Sequence, residues 1–374
     1  MSATQKFNIV KIILNKSIFD DNVITIILQC YWNILDYKRK ILLNWIDIKQ
    51  LYWTALSTNP SAIDLLKENQ HKINWGYLST NPNAIDLLKE NQDKINWDLL
   101  HSNPNAIEIL KYNEDKIDWR ILSSNINAIH LIKKRITYEY NLTFEEYIKL
   151  KNKVNWSAIC RYPYINIIHI LKKRIKYEKN LSKNNYNKLE YNEIINWRNI
   201  SANPNAIELL KENQDKIHWD ILSSNPNAIE ILKNNQRYIN WLRLSKNPNA
   251  IELLKNNKDK IYWGELSENP NAIDMIKHKI QCEKTKTSYF NDYNFNYYIN
   301  WSKLSSNPNA IQILKDNKNK IDWNNICIMS KSNDSIILLK EKTKYELQNN
   351  FIEINWYFLS NNPFIFENEP MPII

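Results

Sequence analysis

Residues 75–96 read WGYLSTNPNAIDLLKENQDKIN, and variants of this 22-residue segment recur from Trp53 to the end of the chain. With the tryptophan as position 1, most variants carry Asn-Pro at positions 7 and 8. This pair is typical of a helix start, because Asn caps the helix and Pro has no backbone N–H to leave unpaired. Apolar residues at positions 10, 11, 13 and 14 follow with helical spacing. Each segment therefore predicts a helix of about one and a half turns from the tryptophan, capped by the Asn or Asp of position 22, and a second helix of about ten residues.

Position 17 divides the repeats into two kinds. Seven repeats have Asn there, and the next tryptophan always follows the previous one by 22 residues. Four repeats have Arg135, Arg174, Lys279 or Lys342 instead, and their tryptophan spacings are 37, 41, 38 and 33 residues. Asn tolerates the left-handed conformation that ends a helix, so we interpret it as a stop signal without which the second helix continues. A buried ladder of Asn side chains between repeats is the alternative interpretation.

Helices this short are marginal on their own and have to stack on their neighbours. The sequence therefore predicts an all-α solenoid of about twelve short two-helix repeats of 22 residues, some with longer insertions. Residues 1–52 do not match the repeat and are predicted to form an N-terminal helical cap, or alternatively a separate recruitment module. Residues 53–374 are the predicted solenoid domain, in which 356–374 form a truncated C-terminal cap. The repeated tryptophan is expected in the core.

Charge is distributed unevenly along the chain. Its 50 Lys and Arg exceed its 40 Asp and Glu by ten. Residues 53–118 hold 6 basic and 10 acidic residues, whereas the basic segment 119–196 holds 15 and 6. Within that segment two adjacent repeats carry aligned cationic triplets, which we predict to bind an anionic partner, either an acidic protein segment or nucleic acid phosphates. The alternative is a solvated, salt-screened face. The six predicted residues are Lys133, Lys134, Arg135, Lys172, Lys173 and Arg174.

The sequence offers little for catalysis. Two glycines cannot build a phosphate-binding loop or a nucleophile elbow, so we predict no enzyme, no catalytic residue, no metal site and no cofactor. His130 and His169 stand at aligned sites, but a metal would need a third ligand, and surface substitution is the simpler interpretation. Four scattered cysteines without a Cys-x-x-Cys pair favour an intracellular location. The sequence has no apolar run of about 18 residues, so we predict no membrane span.

Tandem units of the form Trp-x-x-Leu-Ser-x-Asn-Pro-Asn-Ala-Ile-x-Leu-Leu-Lys-x-Asn, closing on Asn-Pro-x-Ile-Phe, resemble repeat proteins encoded by giant DNA viruses of the mimivirus kind. The resemblance covers residues 53–366 and implies a viral protein of the host cytoplasm or the virion, but little about activity. We predict a non-enzymatic scaffold for protein–protein interaction with an unknown partner and an unknown oligomeric state. Nucleic-acid or other polyanion binding through residues 119–196 is the alternative. Positions 2, 3 and 6 vary between repeats, as expected of either a partner surface or neutral drift.

Overall fold

The computed structural model describes residues 3–14, 21–34, 39–163, 167–285, 298–329, 332–349 and 351–370. Over these residues the chain is an all-α solenoid of regularly spaced helix pairs, which confirms the predicted fold class. It forms two compact units, Met1–Ile95 with Ser330–Ile374, and Asn96–Met329. We number the repeats one to twelve by their tryptophans.

Each repeat begins with a short helix that starts at its tryptophan. The Asn or Asp of position 22 caps this helix in most repeats; the Asn74 side chain, for example, accepts the N–H of Tyr77 at 3.1 Å. The predicted cap is confirmed there, whereas Tyr52, His218 and Tyr262 stand at that position without a capping bond. These first helices are Trp53–Thr58, Trp75–Leu78, Trp97–Leu100, Trp119–Leu122, Trp156–Ile159, Trp197–Ala202, Trp219–Leu222, Trp241–Lys246, Trp263–Leu266, Trp301–Ser305, Trp323–Met329 and Trp356–Asn361.

The second α-helix is shorter than predicted in the regular repeats, because it starts at position 11 and not at the proline. Positions 8–10 form a turn, and the alanine of position 10 has ψ near zero (7° at Ala84), which separates this turn from the helix that follows. The regular second helices are Ile63–Glu68, Ile85–Glu90, Ile107–Lys111, Ile207–Lys211, Ile229–Asn234, Ile251–Lys255 and Ile311–Lys315.

The second helices of the regular repeats end one or two residues before position 17, as predicted, but the expected left-handed conformation is wrong. Asn91 ends its helix with φ −134° and ψ 55°, and its side-chain amide donates to the carbonyl of Leu87 at 2.9 Å. This bond lies within one repeat, so position 17 forms no ladder between repeats. The four repeats without this Asn have the long helices Ile129–Tyr140, Ile167–Asn180, Ile273–Thr285 and Asn333–Asn349.

A ladder of hydrogen bonds does join the repeats, through the Asn of position 7, and we call it the inner ladder. The buried Asn81 accepts the N–H of Asn83 at 3.0 Å and donates to the carbonyls of Ser57 and Asn59, in the preceding repeat, at 3.0 and 2.9 Å. Because the side chain has all its hydrogen bonds only when the two repeats are in this register, it fixes how they stack. The same pattern recurs at Asn125, Asn203, Asn225, Asn247, Asn269 and Asn307.

A second, outer ladder runs along position 9. The Asn83 amide donates to the carbonyl of Pro60 in the preceding repeat at 2.9 Å, and Asn227 donates to Pro204 in the same way at 2.9 Å. In the fifth repeat, whose sequence departs from the pattern, a different residue makes the bonds of the inner ladder. There Tyr162 stands at position 7, and its hydroxyl donates to the carbonyls of Ser123 and Asn125. Within each unit, consecutive repeats are thus held by polar bonds as well as by apolar packing.

The first and last repeats of the chain stack on one another with the same bonds. Asn59 donates to the carbonyls of Ser360 and Asn362 at 2.9 and 3.1 Å, and the N–H of Tyr52 donates to the Ser360 hydroxyl at 2.9 Å. The antiparallel strands Lys40–Leu42 and Phe366–Asn368 pair beside this junction. Repeat twelve therefore takes the place of a preceding neighbour for repeat one. The domain boundary at residue 52 and the two terminal caps stay predictions.

Among the residues that the structure describes, four further α-helices lie outside the repeat pattern. Ala3–Leu14 and Asp21–Ile34 pack around a small core of their own, in which the rings of Phe7 and Trp32 meet edge to face with centroids 5.5 Å apart. Phe144–Lys149 and Lys183–Tyr186 follow the long helices of repeats four and five.

The core of the solenoid is aliphatic, so the prediction of a tryptophan core is wrong for most repeats. In the reference repeat Leu78, Ala84 and Leu88 are fully buried, whereas the Trp75 ring is half-buried and has the Lys94 ammonium 4.5 Å from its centroid. A cation over the ring face is favourable and leaves the ring edge available for packing. Trp119, Trp156 and Trp323, all in long repeats, are buried.

Candidate anion-binding surface

Arg174, one of the six predicted partner-binding residues, points into the protein. Its side chain is 2% exposed, its Nε lies 3.1 Å from Glu178 Oε1, and its guanidinium lies 4.9 Å from the Trp156 ring centroid. It also donates to the backbone carbonyl of Glu193, where the chain returns towards the next repeat. Glu178 accepts the N–H of Ile195 at 2.9 Å. Together the two side chains join the long helix to the segment that returns to the next repeat.

Arg135 makes the corresponding contacts in repeat four. Its Nε lies 3.2 Å from Glu139 Oε1, it donates to the carbonyl of Asn152, and Glu139 accepts the N–H of Val154 at 2.9 Å. We call this arrangement, a basic residue at position 17 paired with a Glu four residues later, the bracket. It recurs as Lys279 with Glu283 at 3.8 Å and Lys342 with Glu346 at 3.7 Å.

Arg135 and Arg174 therefore do not lie on the predicted partner-binding surface, because each is paired with a glutamate in a bracket. Burial raises the pKa of Glu139 and Glu178, while the neighbouring arginines and the backbone N–H groups act in the opposite direction. A buried pair of this kind is costly to break, because the remaining charge has no counter-ion. The spacing Arg/Lys-x-x-x-Glu in all four long repeats is the sequence signal that distinguishes these residues from partner-binding cations.

The four predicted lysines are at the surface. Lys134 lies 2.9 Å from Glu114 and Lys172 lies 2.7 Å from Glu212, and all four of these side chains are about half exposed or more. Exposed pairs of this kind contribute only about 0–1 kcal/mol, so a competing anion can open them. Lys133 and Lys173 make no ion pair with any described residue.

The basic character of this surface arises from the loss of one carboxylate per repeat. In the regular repeats three, six, seven and eight the acid of position 12 pairs with the lysine of position 15, as in Glu208 with Lys211 at 2.7 Å and Glu252 with Lys255 at 2.8 Å. Repeats four and five have the exposed His130 and His169 at position 12. Among the described residues no group of three or more potential ligands could hold a metal ion. Each histidine replaces a carboxylate of the consensus and so lowers the negative charge of this surface.

We call the resulting surface the lysine face, and it occupies the exposed sides of the helices Ile129–Tyr140 and Ile167–Asn180. The only carboxylates on these helices, Glu139 and Glu178, belong to the brackets, so no acid of either helix reaches this side. The rings of Tyr140 and Tyr177 contact one another across the two helices with centroids 5.6 Å apart. The face consists of Lys133, Lys134, Lys172, Lys173, Lys176 and Lys179.

In repeats six to nine, charged residues at the variable positions 2, 3 and 6 pair with charged residues of neighbouring repeats. Asp220 lies between Arg198 at 3.5 Å and Arg243 at 4.0 Å, each from an adjacent repeat. Lys246 pairs with Glu265 at 2.8 Å. Charges on this side of repeats six to nine are therefore compensated within the chain, and part of the variation reflects matching between neighbouring repeats.

No protein family model, curated protein or solved structure matches the chain. The resemblance to giant-virus repeat proteins, the viral origin and the location in host cytoplasm or virion therefore stay predictions. Within the described part of the chain, no helix combines the length and the apolar character needed to cross a membrane.

Proposed function

We propose that the protein is a non-enzymatic repeat scaffold that binds an anionic partner through the lysine face. The observation that carries this proposal is the replacement of the position-12 carboxylate by histidine in two adjacent repeats, which leaves their lysines short of counter-charge. Like charges held this close on rigid helices repel one another, and an anionic partner relieves that repulsion. A scaffold for protein–protein interaction remains the general proposal, and an acidic segment of a partner protein would fit this surface.

The test restores the missing carboxylates. His130→Glu and His169→Glu both return a residue to the pattern of the regular repeats, so we expect the double variant to fold normally. Each new carboxylate would pair with a lysine of the face, and two exposed pairs at up to about 1 kcal/mol each predict weaker polyanion binding by up to about 30-fold. The measurement is binding of fluorescein-labelled inorganic polyphosphate to the full chain at low salt, with circular dichroism as a check on folding.

Gln312→Glu is the matched control. Gln312 occupies position 12 of repeat ten, so the substitution restores the same consensus acid and adds one negative charge away from the lysine face. We expect its affinity to stay within about twofold of wild type, because its effect is limited to screened, longer-range repulsion. The proposal is wrong if the wild-type chain binds neither polyphosphate nor a polyglutamate peptide at low salt, or if the double variant binds as tightly as the control.

A further inference from the structure

The lysine face carries a repeated pairing of lysine with tyrosine. Lys134 and Tyr138 lie four residues apart on one long helix, and Lys173 and Tyr177 occupy the aligned places on the next. Residues four apart lie one turn from each other on the same side of a helix. Tyr138 is 48% exposed. The Tyr177 ring is partly exposed and contacts Tyr140, which is itself exposed.

The bracket arginines hold these rings. The Arg135 guanidinium lies 4.8 Å from the Tyr138 ring centroid, and the Arg174 guanidinium lies 4.8 Å from that of Tyr177. Each arginine is itself fixed by its glutamate, so the rings lose little conformational entropy when a ligand binds. The surface therefore combines lysine ammonium groups with oriented aromatic rings.

This combination distinguishes between the possible anionic partners. An acidic peptide can pair with the lysines but offers no base to stack on a tyrosine. A nucleic acid duplex offers phosphates, but its bases are already stacked on one another. A single strand offers both phosphates and unpaired bases, and single-strand binding proteins combine the same two kinds of side chain. Resting on the function proposed above, we infer that the lysine face binds single-stranded nucleic acid, with bases stacked on Tyr138 and the Tyr140–Tyr177 pair.

The dimensions of the face set the expected size of the site. Packed helices lie about 8–10 Å apart, and Lys172 and Lys179 are separated by about 10 Å along their helix at 1.5 Å per residue. Such a surface accommodates a short stretch of strand with about three or four phosphate contacts. The logarithm of the affinity should therefore fall with the logarithm of the salt concentration with a slope of about −2 to −3.

The experiment measures the fluorescence anisotropy of a labelled ten-residue oligothymidylate bound to the full chain, compared with a duplex, a polyglutamate peptide and inorganic polyphosphate. We expect oligothymidylate to bind more tightly than the duplex and the peptide. Tyr138→Ala should weaken oligothymidylate binding by roughly 5- to 150-fold, the range measured for loss of one stacked base, and leave polyphosphate binding unchanged. Tyr138→Phe keeps the ring and should bind like wild type.

Tyr112→Ala is the matched control, because Tyr112 is 80% exposed in the acidic third repeat and should not matter. The inference is overturned if Tyr138→Ala binds oligothymidylate like wild type, if it weakens oligothymidylate and polyphosphate equally, or if the peptide binds more tightly than the oligonucleotide. In each of these cases the anionic-partner proposal survives as long as His130→Glu with His169→Glu still weakens binding. If that double variant binds every probe like wild type, the proposed function fails together with the inference.

Discussion

The inner ladder should contribute more to stability than any other polar contact of a regular repeat, and Asn225 allows this to be tested. The side chain is 1% exposed, donates to the carbonyls of Ser201 and Asn203 at 3.0 and 3.1 Å, and accepts the N–H of Asn227 at 3.0 Å. Three hydrogen bonds at about 1 kcal/mol each give about 3 kcal/mol. The Asn203 carbonyl also accepts the N–H of Ala206 and keeps a partner, whereas the Ser201 carbonyl would be left unpaired at a cost of about 1–2 kcal/mol. Asn225→Ala should therefore cost about 4–5 kcal/mol.

The comparison within the same repeat is Asn227→Ala. Asn227 is exposed, and its amide makes one bond, to the carbonyl of Pro204 at 2.9 Å, so its loss should cost about 0.5–1 kcal/mol. Urea unfolding of both variants measures the difference. Repeat proteins can unfold in parts, so hydrogen exchange of the amides in Trp197–Ala202 and Trp219–Leu222 should accompany it. The reasoning fails if the two variants lose the same stability within about 1 kcal/mol.

Three other contacts lead to separate predictions. Asn59→Ala should lower the protection of the amides in Trp53–Thr58 by about 4–5 kcal/mol in hydrogen exchange, since it loses the same three bonds as Asn225→Ala; unchanged protection would contradict the stacking of the first and last repeats. Asn235→Leu removes the bond that closes the helix Ile229–Asn234 and should cost about 1–3 kcal/mol in urea unfolding, so wild-type stability would disprove the stop role. Glu178→Gln leaves Arg174 buried without its counter-charge and should cost about 3–5 kcal/mol by thermal unfolding, whereas a loss below 1 kcal/mol would show that the bracket is dispensable.

Much of the fold could be predicted because the decisive signals are local. The caps at position 22 depend on a side chain and a backbone N–H three residues away, and Asn74 with Tyr77 shows the bond that the sequence predicts. The stop at position 17 is equally local, since Asn91 bonds to a carbonyl four residues earlier in its own helix. Its conformation was predicted wrongly because Asn can end a helix through its side chain as well as through a left-handed backbone.

The inner ladder could not be predicted, because Asn81 makes its decisive bonds to a different repeat. From the sequence alone its role as a helix cap already explains the residue. The inward position of Arg174 could not be predicted for a related reason. Arg174 and Lys173 look equivalent within a basic triplet, yet one step along a helix turns a side chain by about 100° and places one residue in the core and the other in solvent. Only the glutamate four residues later separates them, and that pairing requires a long helix.

The ladder also explains why the basic surface lies where it does. Because Asn or Tyr at position 7 and the asparagine at position 9 fix the register between repeats, the chain between position 17 and the next tryptophan can lengthen without displacing its neighbours. In repeats four, five and eleven the bracket joins the long helix to the returning chain, because its glutamate accepts backbone N–H groups there. The outer side of the long helix lies outside the aliphatic core, so charged residues can occupy it without disturbing core packing. Repeats four and five combine this freedom with the loss of the position-12 acid, and they are adjacent, so their charges add to one surface. The four long repeats are thus the places where a new binding surface can arise without altering the solenoid, and the lysine face is the one that combines two of them.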